Sequence, residues 1–196
     1  MLGVILCGGQ SSRMGQDKAL LRAGTNTWAE IAANKLSALD LPVVASINPR
    51  QQDACIKELG HLSLIVDNTA IQVAGPLLGL LSVHATYPKE DLFVLACDLP
   101  LMDQEVLASL HTLYLTNSGS QAYVFTLDLE PEPMCAIYTA VALAKVIHLL
   151  ETNQLARHSL KYLLGQWTVA TLPVPEGKRR CFTNVNSPTE LPYLTL

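Results

Sequence analysis

The sequence predicts an α/β domain built on a mostly parallel, mixed sheet with helices on both faces. Three observations predict it. Short apolar runs of strand length, Leu2–Leu6, Val43–Ile47, Leu62–Val66 and Leu92–Ala96, alternate with helix-like segments as far as Tyr114. Hydrophobic residues make up 49% of the 196-residue chain, which suits strands covered on both faces. Each run ends in glycine or polar residues, the pattern of strands that deliver side chains to one sheet edge. No internal repeat or low-complexity linker divides the chain, so residues 1–196 are taken as one domain with one sizeable core.

In chain order, Leu2–Leu6 is a buried strand running into a glycine loop. Ala23-Gly24-Thr25-Asn26 is a turn. Thr27 caps a helix from Trp28 to about Ala38, and Glu30 at its third position completes a capping box. Val43–Ile47 is the second strand and ends in Asn48-Pro49-Arg50; Gln52–Leu59 is a helix stopped by Gly60. Leu62–Val66 is the third strand and ends in Asp67-Asn68. Pro76 opens the next helix, which Pro88 ends. Leu92–Ala96 delivers Cys97-Asp98-Leu99-Pro100, and Asp103 caps a helix to about Tyr114. Ala122–Leu127 is a strand, Asp128–Pro133 an acidic loop broken by prolines, and Met134–Tyr138 a strand. Helices follow over Thr139–Leu150 and Ser159–Leu164, then a strand-like Trp167–Leu172 and a polar turn over Thr183–Pro188. The closer strand spacing of this second half predicts an antiparallel addition to the sheet.

Composition excludes several function classes. A net charge of -4 and a pI of about 5.7 leave no broad basic field for nucleic acid. Lys178-Arg179-Arg180 is too short for a binding patch and is taken as a solvated loop. The five cysteines are odd in number and lack C-x-x-C or Cys/His ligand spacing, so they are expected as small buried hydrophobes in a reducing compartment. Leu2–Cys7 lacks a basic leader, and no stretch reaches the ~18 apolar residues of a membrane helix. The expectation is a soluble, cytoplasmic protein with no membrane and no nucleic-acid partner.

The chemistry concentrates in Leu6–Lys18, L-C-G-G-Q-S-S-R-M-G-Q-D-K. Gly8, Gly9 and Gly15 let backbone N–H groups approach an anion, while Arg13 and Lys18 supply cationic donors. Neither G-x-G-x-x-G nor G-x-x-x-x-G-K-[ST] is present. The bland alternative is a surface turn with two solvated cations; the density of special residues directly behind a buried strand weighs against it. Four strand ends then converge on one edge: the glycine loop, Ser46/Asn48, Asp67 and Asp98. Asp98 follows five apolar residues, so its carboxylate emerges at a strand tip. Beside phosphates it suits Mg²⁺, which favours one or two carboxylates plus phosphate oxygens. Asp67 has three readings: a second ligand, a partner for a ribose hydroxyl, or an Asx turn with Asn68. Asn184 and Asn186 flank Val185 and face one side of an extended segment, where they complete a site or form a plain turn. The five histidines are scattered, and Ser11 and Ser12 have no evident triad partners.

These same residues carry a family resemblance. The opening block through Leu21, together with A-G-P-L-L-G-L (Ala74–Leu80), A-C-D-L-P (Ala96–Pro100) and N-V-N-S-P-T-E-L (Asn184–Leu191), resembles the molybdenum cofactor guanylyltransferases of the nucleotidyltransferase superfamily. The resemblance implies a three-layer α/β/α Rossmann-like nucleotidyltransferase fold. It implies transfer of GMP from GTP to molybdopterin, with Mg²⁺ as cofactor and pyrophosphate released. Leu6, Cys7, Gly8 and Gly9 would lie against guanine and phosphates, and Arg13 and Lys18 would neutralise the triphosphate. Asn48 and Asp67 would lie on the nucleoside side, Asp98 would bind Mg²⁺, and Asn184 and Asn186 would complete the site. The nucleotide would occupy the N-terminal part and the acceptor the C-terminal part, with molybdoenzymes or other cofactor-biosynthesis proteins as further partners. Gly8 favours guanine, because CTP-using relatives resemble L-A-A-G here. Ser46 departs from the family's usual Asn, Pro49 looks inserted after Asn48, and the acidic stretch Glu130–Glu132 is individual to this chain on the expected acceptor side. Alternatives are a cytidylyltransferase, another small-molecule nucleotidyltransferase, or a nucleotide-binding module without transfer activity.

Overall fold

The computed structural model describes residues 1–8, 17–185 and 190. In order, the chain forms β1 (Leu2–Leu6), a small ribbon of β2 (Arg22–Ala23) and β3 (Asn26–Thr27), α1 (Trp28–Ser37), β4 (Val43–Ile47), α2 (Gln52–Leu59) and β5 (Ser63–Val66). Then come α3 (Pro76–Thr86), β6 (Leu92–Ala96), α4 (Gln104–Thr116), β7 (Ala122–Leu127), β8 (Glu130–Tyr138), α5 (Ala140–Glu151), α6 (Leu160–Leu164) and β9 (Val169–Pro173). Seven strands make one sheet in the order β5-β4-β1-β6-β8-β7-β9. β1 pairs in parallel with β4 and β6, β4 with β5, and β7 with β9. β8 is antiparallel to both its neighbours.

The helix starts follow from local chemistry. The Thr27 hydroxyl accepts the Glu30 N–H at 3.1 Å while the Glu30 carboxylate accepts the Thr27 N–H at 2.6 Å. Asp103 caps α4 through the Glu105 N–H, and Thr139 caps α5 through the Ala142 N–H. Pro76 opens α3 behind Gly75, whose φ of 68° a side chain would resist.

Period two along the strands splits the core into two layers. Ile5 and Phe93 face α1, α2 and α4, packing with Ala33, Leu36, Cys55, Leu59 and Leu107. Val4, Leu92 and Val94 face α3, α5 and α6, packing with Leu80, Leu81, Leu143 and Leu163. Burying each such side chain fully stabilises the fold by about 1.5–3 kcal/mol. The result is the three-layer α/β/α arrangement expected. All five cysteines are buried and free, as expected, and among the described residues no helix is long and apolar enough to cross a membrane.

One segment departs from expectation. Asp128–Pro133 is not a loop: only Asp128 and Leu129 turn, and strand β8 begins at Glu130. Both turn residues have positive φ (51° and 70°), the geometry of a tight two-residue hairpin. The prolines are tolerated for positional reasons. β8 pairs with β6 only over Cys135–Tyr138, so Pro131 needs no second ladder. Pro133 falls where the pairing jumps from Val124–Ala136 to Phe125–Glu132, a bulge that asks nothing of its missing N–H.

Candidate functional site

β1, β4 and β6 run side by side, and their carboxyl ends are locked together. The Cys7 N–H donates to the Ser46 carbonyl at 2.9 Å, and the Cys97 N–H donates to the Leu6 carbonyl at 3.2 Å. A side chain that sequence reasoning missed extends the lock: Gln51 Nε2 donates to the Cys7 carbonyl at 3.1 Å, while its Oε1 accepts the Asn48 N–H at 2.9 Å. Asn48 Oδ1 in turn accepts the Arg50 and Gln51 N–H groups, so Asn48 caps a short turn, Pro49–Gln51, in which Pro49 takes the first position. The chain therefore leaves Cys7 at a fixed height. Below the edge the Cys7 and Cys97 thiols meet, and that hydrogen bond and burial raise the Cys7 pKa, keeping the thiol neutral.

Asp17 Oδ1 accepts the Ala19 N–H at 3.0 Å and caps the turn Lys18–Leu20. That turn aims Lys18 at Asp98, with Nζ 3.4 Å from Oδ2 across 80 residues of sequence. Both side chains are partly exposed (29% and 24%), so an anion from solvent can reach the pair. The backbone under Asp98 is held from two sides. The Val185 N–H donates to the Asp98 carbonyl at 2.9 Å, and buried Val185 packs on Leu21 and Trp28. Lys35 of α1 donates its ammonium to the Pro100 carbonyl; burial pulls its pKa down to about 8. Val185 thus carries Asn184, which is exposed, to the Asp98 loop.

A third group lies beneath β4 and β5. The Ser46 hydroxyl donates to Asp67 Oδ1 at 2.8 Å, and both residues are buried. Burial raises the Asp67 pKa, against the opposing hydrogen bond from Ser46. Gly79 of α3 sits over this pair: a Cβ there would stand 2.5 Å from Ser46 Oγ and 3.4 Å from Asp67 Oδ1. A glycine within an apolar helix was the available signal, since it costs about 1 kcal/mol relative to alanine unless close packing needs it. Gly8 differs. Among the described residues its Cβ would meet only Asp67 Oδ2, at an ordinary 3.4 Å.

The structure therefore brings Leu6, Cys7, Gly8, Lys18, Asn48, Asp67, Asp98 and Asn184 to one sheet edge. Gly9, Arg13 and Asn186 lie outside the described residues. Among the described residues no cluster of three or more His, Cys, Asp or Glu side chains could hold a metal. The histidines serve elsewhere: His84 is buried in α3, and His61 lies 3.3 Å from Glu30. The Lys178–Arg180 segment leads into a short 3₁₀ turn, Arg179–Phe182, with Arg179 and Arg180 exposed as expected. Lys178 pairs with Asp103 and Glu105, and Arg179 grips Asp128 through two hydrogen bonds.

A protein-family model described as a MobA-like NTP transferase domain matches residues 3–167. A molybdenum cofactor guanylyltransferase of Campylobacter jejuni subsp. doylei is 30% identical over 151 residues, 77% of this chain and 75% of that protein. A probable molybdenum cofactor guanylyltransferase of Geobacillus sp. is 27% identical over 97% of this chain and 95% of its own. Among solved structures, molybdopterin-guanine dinucleotide biosynthesis protein A from Archaeoglobus fulgidus superposes with a TM-score of 0.76 at 21% identity, covering 98% of this chain and 96% of that one. CMP:2-keto-3-deoxy-manno-octonic acid synthetase shares the fold at a TM-score of 0.71 and 12% identity, covering 98% of this chain and 95% of that one.

Proposed function

Because the chain belongs to the MobA-like NTP transferase family, we propose that its sheet edge transfers GMP from GTP to molybdopterin. The observation that carries this reading is the Lys18–Asp98 pair, a cation and a carboxylate held 3.4 Å apart on the sheet edge that also carries Gly8. A glycine at position 8 lets a nucleotide lie directly on the backbone, with Asp67 Oδ2 nearby. In the reaction an oxygen of the acceptor phosphate forms a bond to the α-phosphorus of GTP. The bond from that phosphorus to the β-phosphate oxygen breaks, and pyrophosphate leaves with the electron pair.

Both reactants are anions, so charge is the main obstacle. Lys18 supplies a fixed positive charge beside the triphosphate, and Arg13 is proposed to add a second. The acceptor phosphate is already ionised near neutral pH, so no strong general base is needed. That agrees with the buried cysteines and the scattered histidines. A lone carboxylate is the donor set that Mg²⁺ shares with phosphate oxygens and water, so Asp98 is the residue that would hold it. When bound, Mg²⁺ would neutralise charge on the leaving pyrophosphate. The Val185 and Lys35 contacts fix the Asp98 backbone, so its carboxylate does not have to be ordered at each turnover. The family relationship supports a cytoplasmic place beside the enzymes that make and use the cofactor.

Calorimetric titration with GTP, CTP, ATP and UTP, each with Mg²⁺, tests the reading. GTP alone should bind tightly. Asp98→Ala should lower turnover by about 10²–10³-fold or more, and Lys18→Ala should also weaken GTP. Selective CTP binding would move the assignment to the cytidylyl relatives; near-normal turnover in Asp98→Ala would remove the metal role.

A further inference from the structure

Resting on that reading, we propose that the acceptor's pterin ring occupies an open cleft of about 410 Å³ between the start of α3, the bulge of β8 and the start of α6. Its walls are Pro76, Leu77, Pro133, Met134 and Leu160, with Lys161 on the rim.

Placement is the first argument. Pro76 lies one helical turn before Gly79, about 4.5 Å along the axis of α3, and Gly79 touches Ser46 and Asp67. On the other wall, Pro133 and Met134 follow directly on the Leu95–Cys135 pair, toward the edge where Asp98 emerges from β6. The cleft is therefore adjacent to both halves of the transfer site, one turn from Asp67 and one strand from Asp98. A ring seated there keeps a short phosphate-bearing tail within reach of the Lys18–Asp98 pair.

Chemistry is the second argument. A cavity of this size lies in the range that takes a small flat ligand, roughly 300–1,000 Å³. Prolines and leucines offer rigid apolar faces, and the Met134 thioether adapts to a ring laid against it. The bulge that presents Pro133 is fixed, because the Tyr138 hydroxyl donates to the Pro133 carbonyl at 2.8 Å. The rim has mixed charge. Lys161 Nζ lies 3.4 Å from Glu130 Oε2, with both side chains more than half exposed. Glu132, half-buried, also feels the Lys161 charge. An exposed pair of this kind is worth only about 0–1 kcal/mol, so Lys161 can turn to a ligand. A pterin presents a carbonyl and N–H groups along one edge, which a lysine and a carboxylate match together. A purely anionic ligand would meet the two glutamates.

The test is a fluorescence titration with a 6-substituted pterin carrying a side-chain phosphate, with GTP binding followed in parallel by calorimetry. Saturable pterin binding should weaken roughly tenfold in Lys161→Ala, the loss expected for one charge-assisted hydrogen bond. It should be abolished in Met134→Trp, which fills the cleft, while GTP affinity stays unchanged in both. No saturable pterin binding, or binding undiminished in both variants, overturns the proposal. Pterin binding that persists, and still falls in these variants, while the protein fails to bind GTP supports the cleft and strikes only at the donor assignment.

Discussion

Asp67 is 8% exposed, and among the described residues its ionised form has one hydrogen-bond donor, Ser46, to offset burial. Burial raises its pKa in the folded state. The sign follows: the stability linked to this group is fully present below the unfolded carboxylate value and is lost as pH rises through the folded value. At pH 7 the native state therefore carries the cost of a buried anion. Asp67→Asn removes the charge, keeps the shape and still accepts from Ser46. It should melt above the wild type at pH 7, by about 2–4 °C for each kcal/mol recovered, with the gap closing toward pH 3. Thermal melts across pH decide this; equal melting temperatures at pH 7 would show that the buried charge costs nothing. GTP affinity should fall in the same variant, which would make Asp67 a residue held at a stability cost for binding.

At the scale of elements, α3 is the piece most constrained by the site. Gly79→Ala gains up to about 1 kcal/mol of helix propensity. Against that stands a Cβ 2.5 Å from Ser46 Oγ and 3.2 Å from Leu6 Cδ2, and overpacking of this kind costs about 1–3 kcal/mol. The second effect should win. The helix must back away from β4, which moves both the Asp67 pair and the start of α3 at the cleft. Denaturant unfolding should show a net loss, and calorimetry a weaker nucleotide; a more stable Gly79→Ala with unchanged affinity would mean that α3 is free to shift. The start of this helix was legible beforehand, because Pro76 acts locally, as do the caps Thr27 and Asp103 at theirs. The hairpin was not. Prolines at 131 and 133 mark a break in isolation, and only the partial pairing of β8 with β6 and the bulge in its pairing with β7 make them compatible with a strand. Gln51 and Lys35 were missed for the same reason. Their partners, the carbonyls of Cys7 and Pro100, lie 44 and 65 residues away, and nothing local announces them. The four strand ends were legible because a parallel sheet has only one carboxyl edge.

For the whole molecule, the two hydrophobic layers share every central strand. Val4 belongs to one layer and Ile5 to the other, so neither can lose its packing while the sheet survives. The site is strung across the same strands, from Asp67 after β5 to Asp98 after β6. Folding and site assembly should therefore be one event. The chain supplies its own probes. Trp28 sits on α1, whose inner face joins the first layer; Trp167 packs against the second and lies edge-on to Tyr138. Trp28→Phe and Trp167→Phe leave one reporter on each side of the sheet. In guanidinium the two single-tryptophan proteins should each unfold in one transition, and each should coincide with its own far-UV circular dichroism curve. A transition seen by Trp167 alone would mean that the α5–α6 side opens independently. The pterin cleft, which that side helps to line, could then close and open without disturbing the nucleotide edge. Coincident curves would instead tie the cleft rigidly to Lys18 and Asp98, as in-line transfer between two bound anions requires.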